Sequence, residues 1–323
     1  MARILTGIQS TGTPHLGNIL GAIVPAIEQA AKPENESFLF IANMHSVTQI
    51  KDGKELSQNT LSTAATWLAC GLDTNSSVFY RQSDIPQVAE LAWYLSCFFP
   101  YQRLTLAHSF KDKADRLEDV NAGLFSYPML MAADIIIYDA EFVPVGKDQL
   151  QHLEMTRDVA ARFNHKMGET FVLPKDLLHK DHMLIPGTDG EKMSKSRNNT
   201  INIFAPEKEL KNTINKQIIT DATPLEDSKN VEGSAVYQLY KLIAPAKKAQ
   251  AMRSQLEAGG YGWGHAKKDL LEGILERFSE ERERYNHFMN HPKEVEEQLL
   301  AGAAKAKIVA HATIERVREK LGM

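Results

Sequence analysis

Residues 7–18 read Gly-Ile-Gln-Ser-Thr-Gly-Thr-Pro-His-Leu-Gly-Asn, and they join a short apolar run to an amphipathic one. Ile4 and Leu5, just before this segment, are typical of a buried strand. After it, apolar residues recur at the spacing of one helix face, at Leu16, Ile19, Leu20, Ile23, Val24 and Ile27. Thr13 is a suitable N-cap and Pro14 suits the first helical position, so we expect the helix to begin there.

This strand-to-helix turn is a candidate phosphate site. The first N–H groups of a helix have no partner within the helix, and the helix dipole is positive at this end. His15 and Asn18 are three positions apart, so both can face a ligand from one side of the first turn. Gly17 would let a nucleotide approach the backbone closely. A capped helix with a surface histidine has the same features, so the turn alone leaves both interpretations open.

Strand and helix signals alternate through the first half of the chain. Apolar runs at residues 38–41, 78–80 and 142–145 are further candidate strands, and the alternation predicts an α/β fold with a doubly wound parallel sheet. Beyond residue 206 the strand signals end, and residues 270–289 and 295–321 are typical of charged amphipathic helices. We therefore expect an α/β domain over residues 1–205 and an α-helical domain over residues 206–323.

The composition is that of an ordinary globular protein, with 43% hydrophobic and 24% charged residues. A net charge of -4 excludes a uniformly basic surface, although a local basic patch would suffice for nucleic acid. Cys70 and Cys97 have no partner at metal-ligand spacing, so we expect two buried thiols and no zinc site or disulfide framework. The sequence has no membrane-spanning run and no signal-peptide core, which favours the cytoplasm.

A second candidate element is Lys192-Met193-Ser194-Lys195-Ser196, in a segment rich in Gly, Asn and charge that is predicted to be an exposed loop. Two lysines flank a hydroxyl, and the loop could close over a triphosphate. When a carboxylate attacks the α-phosphorus of ATP, negative charge grows on the departing pyrophosphate. Mobile ammonium groups would neutralise that charge mainly in the transition state and so raise the rate.

The His-Leu-Gly-Asn turn, a variant of His-Ile-Gly-His, and the Lys-Met-Ser-Lys-Ser loop together resemble class I aminoacyl-tRNA synthetases, which have a Rossmann-like catalytic domain. Three further segments are similar to bacterial tryptophanyl-tRNA synthetases: Asn-Ala-Gly-Leu at 121–124, Tyr-Pro-Met-Leu-Met-Ala-Ala-Asp at 127–134 and Pro-Val-Gly-Lys-Asp-Gln-Leu-Gln-His at 144–152. The likeness extends over almost the whole chain. It implies that tryptophan and ATP, the latter with Mg²⁺ but no protein-bound metal, give tryptophanyl-adenylate and pyrophosphate. Tryptophan would then be transferred to tRNA(Trp). The resemblance also implies that the enzyme is a homodimer.

The resemblance also implies roles for individual residues. His15, Asn18, Lys192 and Lys195 would be the catalytic groups that stabilise the phosphates. Contacts to ATP would come in addition from Gln9, Ser10, Thr11, Gly17, Lys111, Gly146, Lys147, Asp148, Met183, Met193, Ser194 and Ser196. Tryptophan would be bound by Gln9, His45, Tyr127, Met131, Asp134 and Gln149. Asp134 is expected to accept the indole N–H, because indole nitrogen only donates and an ionised carboxylate only accepts.

Three residues depart from the family pattern. Ser10 replaces a common proline, Lys147 stands where an acidic residue is usual, and Asn43 lies in Ala-Asn-Met-His where Val-Asp-Gln-His is common. Three alternatives remain open: a tyrosyl enzyme of the same class, a small-molecule nucleotidyltransferase without an RNA partner, and a non-catalytic nucleotide-binding protein. The intact lysine loop and the helical last third disfavour the latter two, and the segments at 127–134 and 144–152 favour tryptophan over tyrosine.

Overall fold

The structure, a computed structural model, describes residues 1–106, 120–146, 149–177 and 184–323. A five-stranded sheet has the order β3-β2-β1-β4-β5, and all its neighbouring strands pair in parallel. Its strands are β1 (Ala2–Ile8), β2 (Asn35–Ile41), β3 (Val78–Arg81), β4 (Phe142–Pro144) and β5 (Lys175–Leu177). The predicted parallel sheet is confirmed. The edge strand β5 has only three residues, Lys-Asp-Leu, and therefore lacks the apolar run that identifies the other four.

Helices cover both faces of this sheet. In the first part of the chain they are α1 (Leu16–Asn18), α2 (Val24–Ala30), α3 (Asn43–Ser46), α4 (Gly53–Ala69), α5 (Gln87–Phe98), α6 (Tyr101–Leu104), α7 (Ala122–Ile136) and α8 (Leu150–Met167). A π-helical segment, Ile19–Ile23, joins α1 to α2. The second part contains α9 (Glu207–Asn212), α10 (Ala235–Ile243), α11 (Ala246–Ala258), α12 (Trp263–Arg277), α13 (Ser279–Asn290) and α14 (Pro292–Leu321). No helix of the described residues is long and apolar enough to cross a membrane.

Alternate residues of β2 enter two different cores. Leu39 and Ile41 pack with α1, α2 and α4, whereas Phe38 and Phe40 pack with α5, α7 and α8. Successive side chains of a strand point to opposite faces, so an unbroken apolar run is what a sheet covered on both sides requires. This arrangement confirms the Rossmann-like doubly wound fold followed by a helical region.

The C-terminal helix returns to the sheet. Ala306, Ala310 and Ile314 of α14 belong to the same core as Phe38. A Cβ on Gly302 would overlap the backbone oxygen of Phe79 in β3, so only glycine permits this close approach of helix to edge strand. The last helix thus covers an edge strand of the first region. The domain boundary near residue 205 stays a prediction. Helix α14 follows that boundary in sequence but packs against β3, which precedes it.

The prediction for the cysteines was wrong in part. Cys97 is exposed and Cys70 is only partly buried, and both are free thiols. Cys97 lies on α5, whose buried positions are Val88, Leu91 and Leu95, so it belongs to the outer face of that helix. A small residue on the outer face of an amphipathic helix gives little sequence signal of its exposure.

Candidate active site

A cavity of about 520 Å³ opens at the carboxyl ends of β1 and β4. These strands are adjacent, but the chain leaves them in opposite directions along the sheet, to β2 and to β5. Open parallel sheets form their ligand crevice at such a switch point. The cavity brings together eight of the predicted site residues: Gln9, Asn18, His45, Tyr127, Met131, Asp134, Gly146 and Gln149.

The Asp134 carboxylate is one of the polar groups of the cavity wall. It is 2% exposed and lies on α7, among the apolar side chains of the helix. His45 Nε2 donates to Oδ2 at 2.8 Å, and Gln82 Nε2 lies 2.8 Å from Oδ1 and 2.9 Å from Oδ2. Burial raises the pKa of Asp134, and the hydrogen bonds from His45 and Gln82 oppose that rise. The carboxylate is therefore held in one orientation by two donors.

Gln82 is a residue of this cluster that the sequence analysis did not identify. It is fully buried at the end of β3, and its Oε1 accepts the backbone N–H groups of Met44 at 3.0 Å and His45 at 3.3 Å. Those contacts fix which end of the amide is the donor, so Nε2 must face Asp134. Gln82 thereby connects the carboxylate to the start of α3. The available sequence signal is its position: Gln82 directly follows the strand at residues 78–81.

The remaining cavity walls are largely apolar. Phe40, Val143 and Ile135 line it together with Met131, and Tyr127 is buried at its edge. The Tyr127 hydroxyl hydrogen-bonds His152 Nε2, which places His152 behind the wall. Asp134 supplies the one carboxylate among the lining residues that the structure describes, and an oriented carboxylate next to apolar walls suits a flat aromatic ligand with one polar N–H group.

The first helix begins later than the sequence predicts. Its N-cap is His15 and not Thr13: the Asn18 N–H donates to His15 Nδ1 and the His15 N–H donates to Asn18 Oδ1, each at 3.2 Å. Thr13 and Pro14 thus precede the helix. Asn18 also lines the cavity, and its Nδ2 group is a donor that a phosphate oxygen can accept from. Burial, and then the charge of Lys195, lower the pKa of His15 to about 4, so its imidazole is neutral at pH 7.

The lysine loop lies against this turn. Lys195 Nζ donates to the backbone oxygen of Gly12 at 2.8 Å, and the Gly17 N–H points at the sulfur of Met193 at 3.2 Å. Met193 is 4% exposed and anchors the loop in the core next to α1. Desolvation lowers the pKa of Lys195 to about 8. The lysine loop and the turn therefore meet, although the lysine loop itself does not line the cavity described above.

Other predicted residues lie elsewhere in or around the site. Ser10 is fully buried, and its N–H and hydroxyl contact Ser46 Oγ at 3.0 and 3.2 Å. The Ser10 side chain thus holds the turn against α3, and its contact to ATP stays a prediction. Four other residues predicted to contact ATP are described. Thr11 is partly buried in the turn, and Lys192 is exposed and bridged through its backbone to Pro186. The hydroxyls of Ser194 and Ser196 are 2.8 Å apart. The predicted residues Lys111, Lys147, Asp148 and Met183 lie outside the described residues.

Comparisons with known proteins agree on one family. A family model described as tRNA synthetases class I (W and Y) matches residues 1–279. A tryptophan--tRNA ligase of Campylobacter jejuni (strain RM1221) is 44% identical over 321 residues, which cover 99% of this chain and 100% of the relative. The tryptophan--tRNA ligase of Pseudomonas aeruginosa is 44% identical over 332 residues, covering 99% of this chain and 74% of the relative.

Solved structures give the same result. The crystal structure of Campylobacter jejuni tryptophanyl-tRNA synthetase complexed with ADP and tryptophan superposes with a TM-score of 0.95 at 43% identity, covering 99% of this chain and 100% of the other. A tyrosyl-tRNA synthetase of Archaeoglobus fulgidus, complexed with L-tyrosine, reaches 0.65 at 18% identity, covering 88% and 90%. The second likeness is one of fold alone, so fold by itself does not distinguish the two amino acids.

Proposed function

The chain belongs to the class I tRNA synthetases for tryptophan and tyrosine, and from that premise we propose that it activates L-tryptophan and charges tRNA(Trp). The carboxylate oxygen of tryptophan attacks the α-phosphorus of ATP, the bond to the β-phosphate oxygen breaks, and pyrophosphate leaves. The terminal ribose hydroxyl of the tRNA then displaces AMP from the adenylate. Neither step needs a protein nucleophile, since positioning and charge stabilisation carry the rate.

The observation that carries the choice of an aromatic amino acid with a hydrogen-bond donor is the orientation of Asp134. An ionised carboxylate offers about four lone-pair directions, and His45 and Gln82 occupy three. Oδ1 accepts one of these bonds and Oδ2 accepts two, so Oδ1 can accept a further donor, which the indole N–H of a bound tryptophan would supply. A phenylalanine ring would leave that buried acceptor unpaired, a penalty that lets hydrogen-bonding sites reject analogues by about 10⁴ to 10⁵. A phenol hydroxyl could also donate here, and the relatives at 43–44% identity favour tryptophan.

The phosphate end of the site is supported by the contact between the lysine loop and the turn. Asn18 supplies an amide donor, His15 a neutral imidazole and Lys195 the positive charge, all next to the start of α1. Lys195 already reaches Gly12, so a small movement of its flexible side chain would bring Nζ onto a phosphate. ATP would enter as its Mg²⁺ complex, with the ion held by phosphate oxygens.

Amino-acid-dependent ATP–pyrophosphate exchange tests this proposal directly. Tryptophan should support exchange, phenylalanine should be slower by about three orders of magnitude or more, and tyrosine should be slower than tryptophan. Exchange driven by tyrosine at a rate equal to or above that with tryptophan would reject the assignment. Aminoacylation of tRNA(Trp) transcript, with tRNA(Tyr) as the matched control, tests the second step. Exchange without any tRNA charging would leave a nucleotidyltransferase as the function.

A homodimer is supported by an exposed apolar groove between α3, α5 and α7. Trp93 is 69% exposed and Val47 45% exposed, and both line the groove with Ala89 and Leu130. Tyr127 lines this groove and the amino-acid cavity alike, so a second copy seated here would support the cavity wall. Sedimentation velocity should give a dimer, and Trp93→Ser should shift it towards monomer.

The helical region beyond residue 205 would serve the tRNA. A surface groove is lined by α9 and the segment after it, and its positive charge comes from Lys208, Lys211 and Lys216, next to one acidic residue, Glu209. Phosphate contacts of this kind make affinity fall with salt. Binding of tRNA(Trp) should therefore weaken in a triple Lys→Ala variant, with a shallower salt dependence and unchanged pyrophosphate exchange.

A further inference from the structure

Two histidines and a glutamate meet at the junction of α13 and α14, on the outer surface of the helical region. His287 lies in the last turn of α13, His291 separates the two helices, and Glu294 lies in the first turn of α14. Their ligand atoms all lie within 4.8 Å of one another, and all three residues are exposed. We propose that His287, His291 and Glu294 form a binding site for a divalent transition-metal ion such as Zn²⁺.

The local fold explains why the three groups converge. Positions four apart share one face of a helix, which brings His287 under His291, and their rings stack with centroids 4.3 Å apart. Pro292 then starts a new helix, so the chain turns and Glu294 comes back towards His287. His287 Nε2 and Glu294 Oε2 are 2.8 Å apart. Zinc bonds of about 2.0–2.2 Å place neighbouring ligand atoms roughly 3–4 Å apart, so the exposed side chains need only small rotations to bind the ion. The proton that His287 Nε2 donates to Glu294 must then move to Nδ1 or pass to solvent, which leaves Nε2 as the ligand atom.

The hydrogen bond made by His291 favours metal binding. Its Nδ1 is 2.8 Å from the backbone oxygen of His287. A carbonyl oxygen only accepts, so Nδ1 carries the proton and Nε2 carries the lone pair. Metal-binding histidines are commonly oriented by this kind of bond to a backbone carbonyl, which fixes the tautomer and holds the ring. Nε2 of His291 is therefore the ring nitrogen that is available to bind a metal ion.

The donor set selects the class of ion. Two imidazoles and one carboxylate suit Zn²⁺, Cu²⁺ or Ni²⁺, whereas Mg²⁺ and Ca²⁺ prefer oxygen ligands alone. Three protein ligands leave a position for water at this exposed surface. None of the three residues lines the amino-acid cavity, so the site is separate from the Mg²⁺ that accompanies ATP.

A bound ion would tie two packed elements together. Helix α13 packs against α4, and α14 packs against β3. Between them the chain is joined by His291 alone, so the ion would fix the angle at that junction. An ion that binds only the folded chain stabilises it in proportion to RT ln(1 + [L]/Kd). The expected consequence is a higher Tm in the presence of Zn²⁺, with no requirement for Zn²⁺ in pyrophosphate exchange.

Calorimetric titration and thermal melts of the full chain, stripped with chelator and then given ZnCl₂ at pH 7.5, test the site. Wild type should bind one Zn²⁺ per chain at this site and gain Tm, and MgCl₂ should do neither. His291→Ala and Glu294→Gln should each weaken that binding by about tenfold or more and remove the gain in Tm. His311→Ala, which removes an exposed histidine elsewhere on α14, is the matched control and should behave as wild type. Equal Zn²⁺ binding by wild type and both site variants, or no stoichiometric binding by wild type, would overturn the proposal.

Discussion

Replacing Asp134 with asparagine changes one atom of the amino-acid cavity and places a hydrogen-bond donor against the Gln82 donor. Gln82 Nε2 faces both carboxylate oxygens, and its Oε1 is held by the N–H groups of Met44 and His45. The glutamine amide therefore cannot turn over without losing two backbone bonds. The new side-chain amide of the Asp134→Asn variant would present its NH₂ group to the Gln82 donor in either orientation. The variant consequently loses the negative charge and the fixed geometry together.

The size of the effect follows from the bonds involved. A hydrogen bond to a charged group contributes roughly 1.5–3 kcal/mol, and each 1.4 kcal/mol is about a tenfold change in rate constant. Asp134→Asn should therefore lower kcat/KM for tryptophan about 10- to 100-fold in pyrophosphate exchange. The same measurement with β-(3-benzothienyl)alanine, which keeps the bicyclic shape but replaces N–H with sulfur, should change far less.

The ratio of the two kcat/KM values is the decisive quantity. Wild type should prefer tryptophan over the benzothienyl analogue, and the variant should lose most of that preference. A thermal melt of each protein checks that the variant is folded at the assay temperature. If Asp134→Asn kept the wild-type ratio, the carboxylate would not be the group that accepts the indole N–H, and the assignment of the cavity would fail with it.

Three further predictions concern the loop and the fold. Lys195→Ala should lower the adenylation rate about 10²- to 10³-fold in single turnovers, with little change in tryptophan affinity, while the exposed Lys32→Ala should match wild type. Because the pKa of Lys195 is about 8, kcat/KM for ATP should fall as pH rises through 8, and Lys195→Arg should move that decline to higher pH. Gly302→Ala should lower Tm, since its Cβ would overlap the Phe79 oxygen, whereas Gly264→Ala meets no atom within 4 Å and should leave Tm nearly unchanged.

Local sequence patterns were sufficient for the sheet but not for all its edges. The four strands with apolar runs were predictable because their side chains are buried or partly buried on both faces of the sheet. Strand β5 and the packing of α14 on β3 were not, since their determinants lie far apart in the sequence. Gly302 meets Phe79 across more than two hundred positions. In sequence, Gly302 is one small residue among the alanines of a helix.

In the candidate site, too, some residues could be predicted from the local sequence and others could not. Asp134 could be singled out because a carboxylate in an apolar helix demands a reason, whereas Gln82 gives no such signal beside its strand. The start of the first helix was placed at Thr13 and Pro14 because those residue types favour helix starts. The observed cap is instead the reciprocal bond between His15 and Asn18, and histidine is not among the preferred N-cap residues. Helix-start preferences of the residue types therefore located the turn, whereas the hydrogen bonds between His15 and Asn18 determine the residue at which the helix begins.

The turn of residues 7–18 contacts both the amino-acid cavity and Lys195 of the proposed phosphate site. Gln9 and Asn18 line the amino-acid cavity, and Gly12, between them in sequence, accepts the hydrogen bond from Lys195. His15 is neutral at pH 7, so the positive charge at the turn comes from Lys195 and from the backbone at the start of α1. Under the proposed function, the charge that favours the departing pyrophosphate depends on where Lys195 Nζ lies, and in this structure it lies against the backbone oxygen of Gly12. The Lys195→Ala and Lys195→Arg variants therefore test the step that breaks ATP, whereas Asp134→Asn tests the recognition of the amino acid.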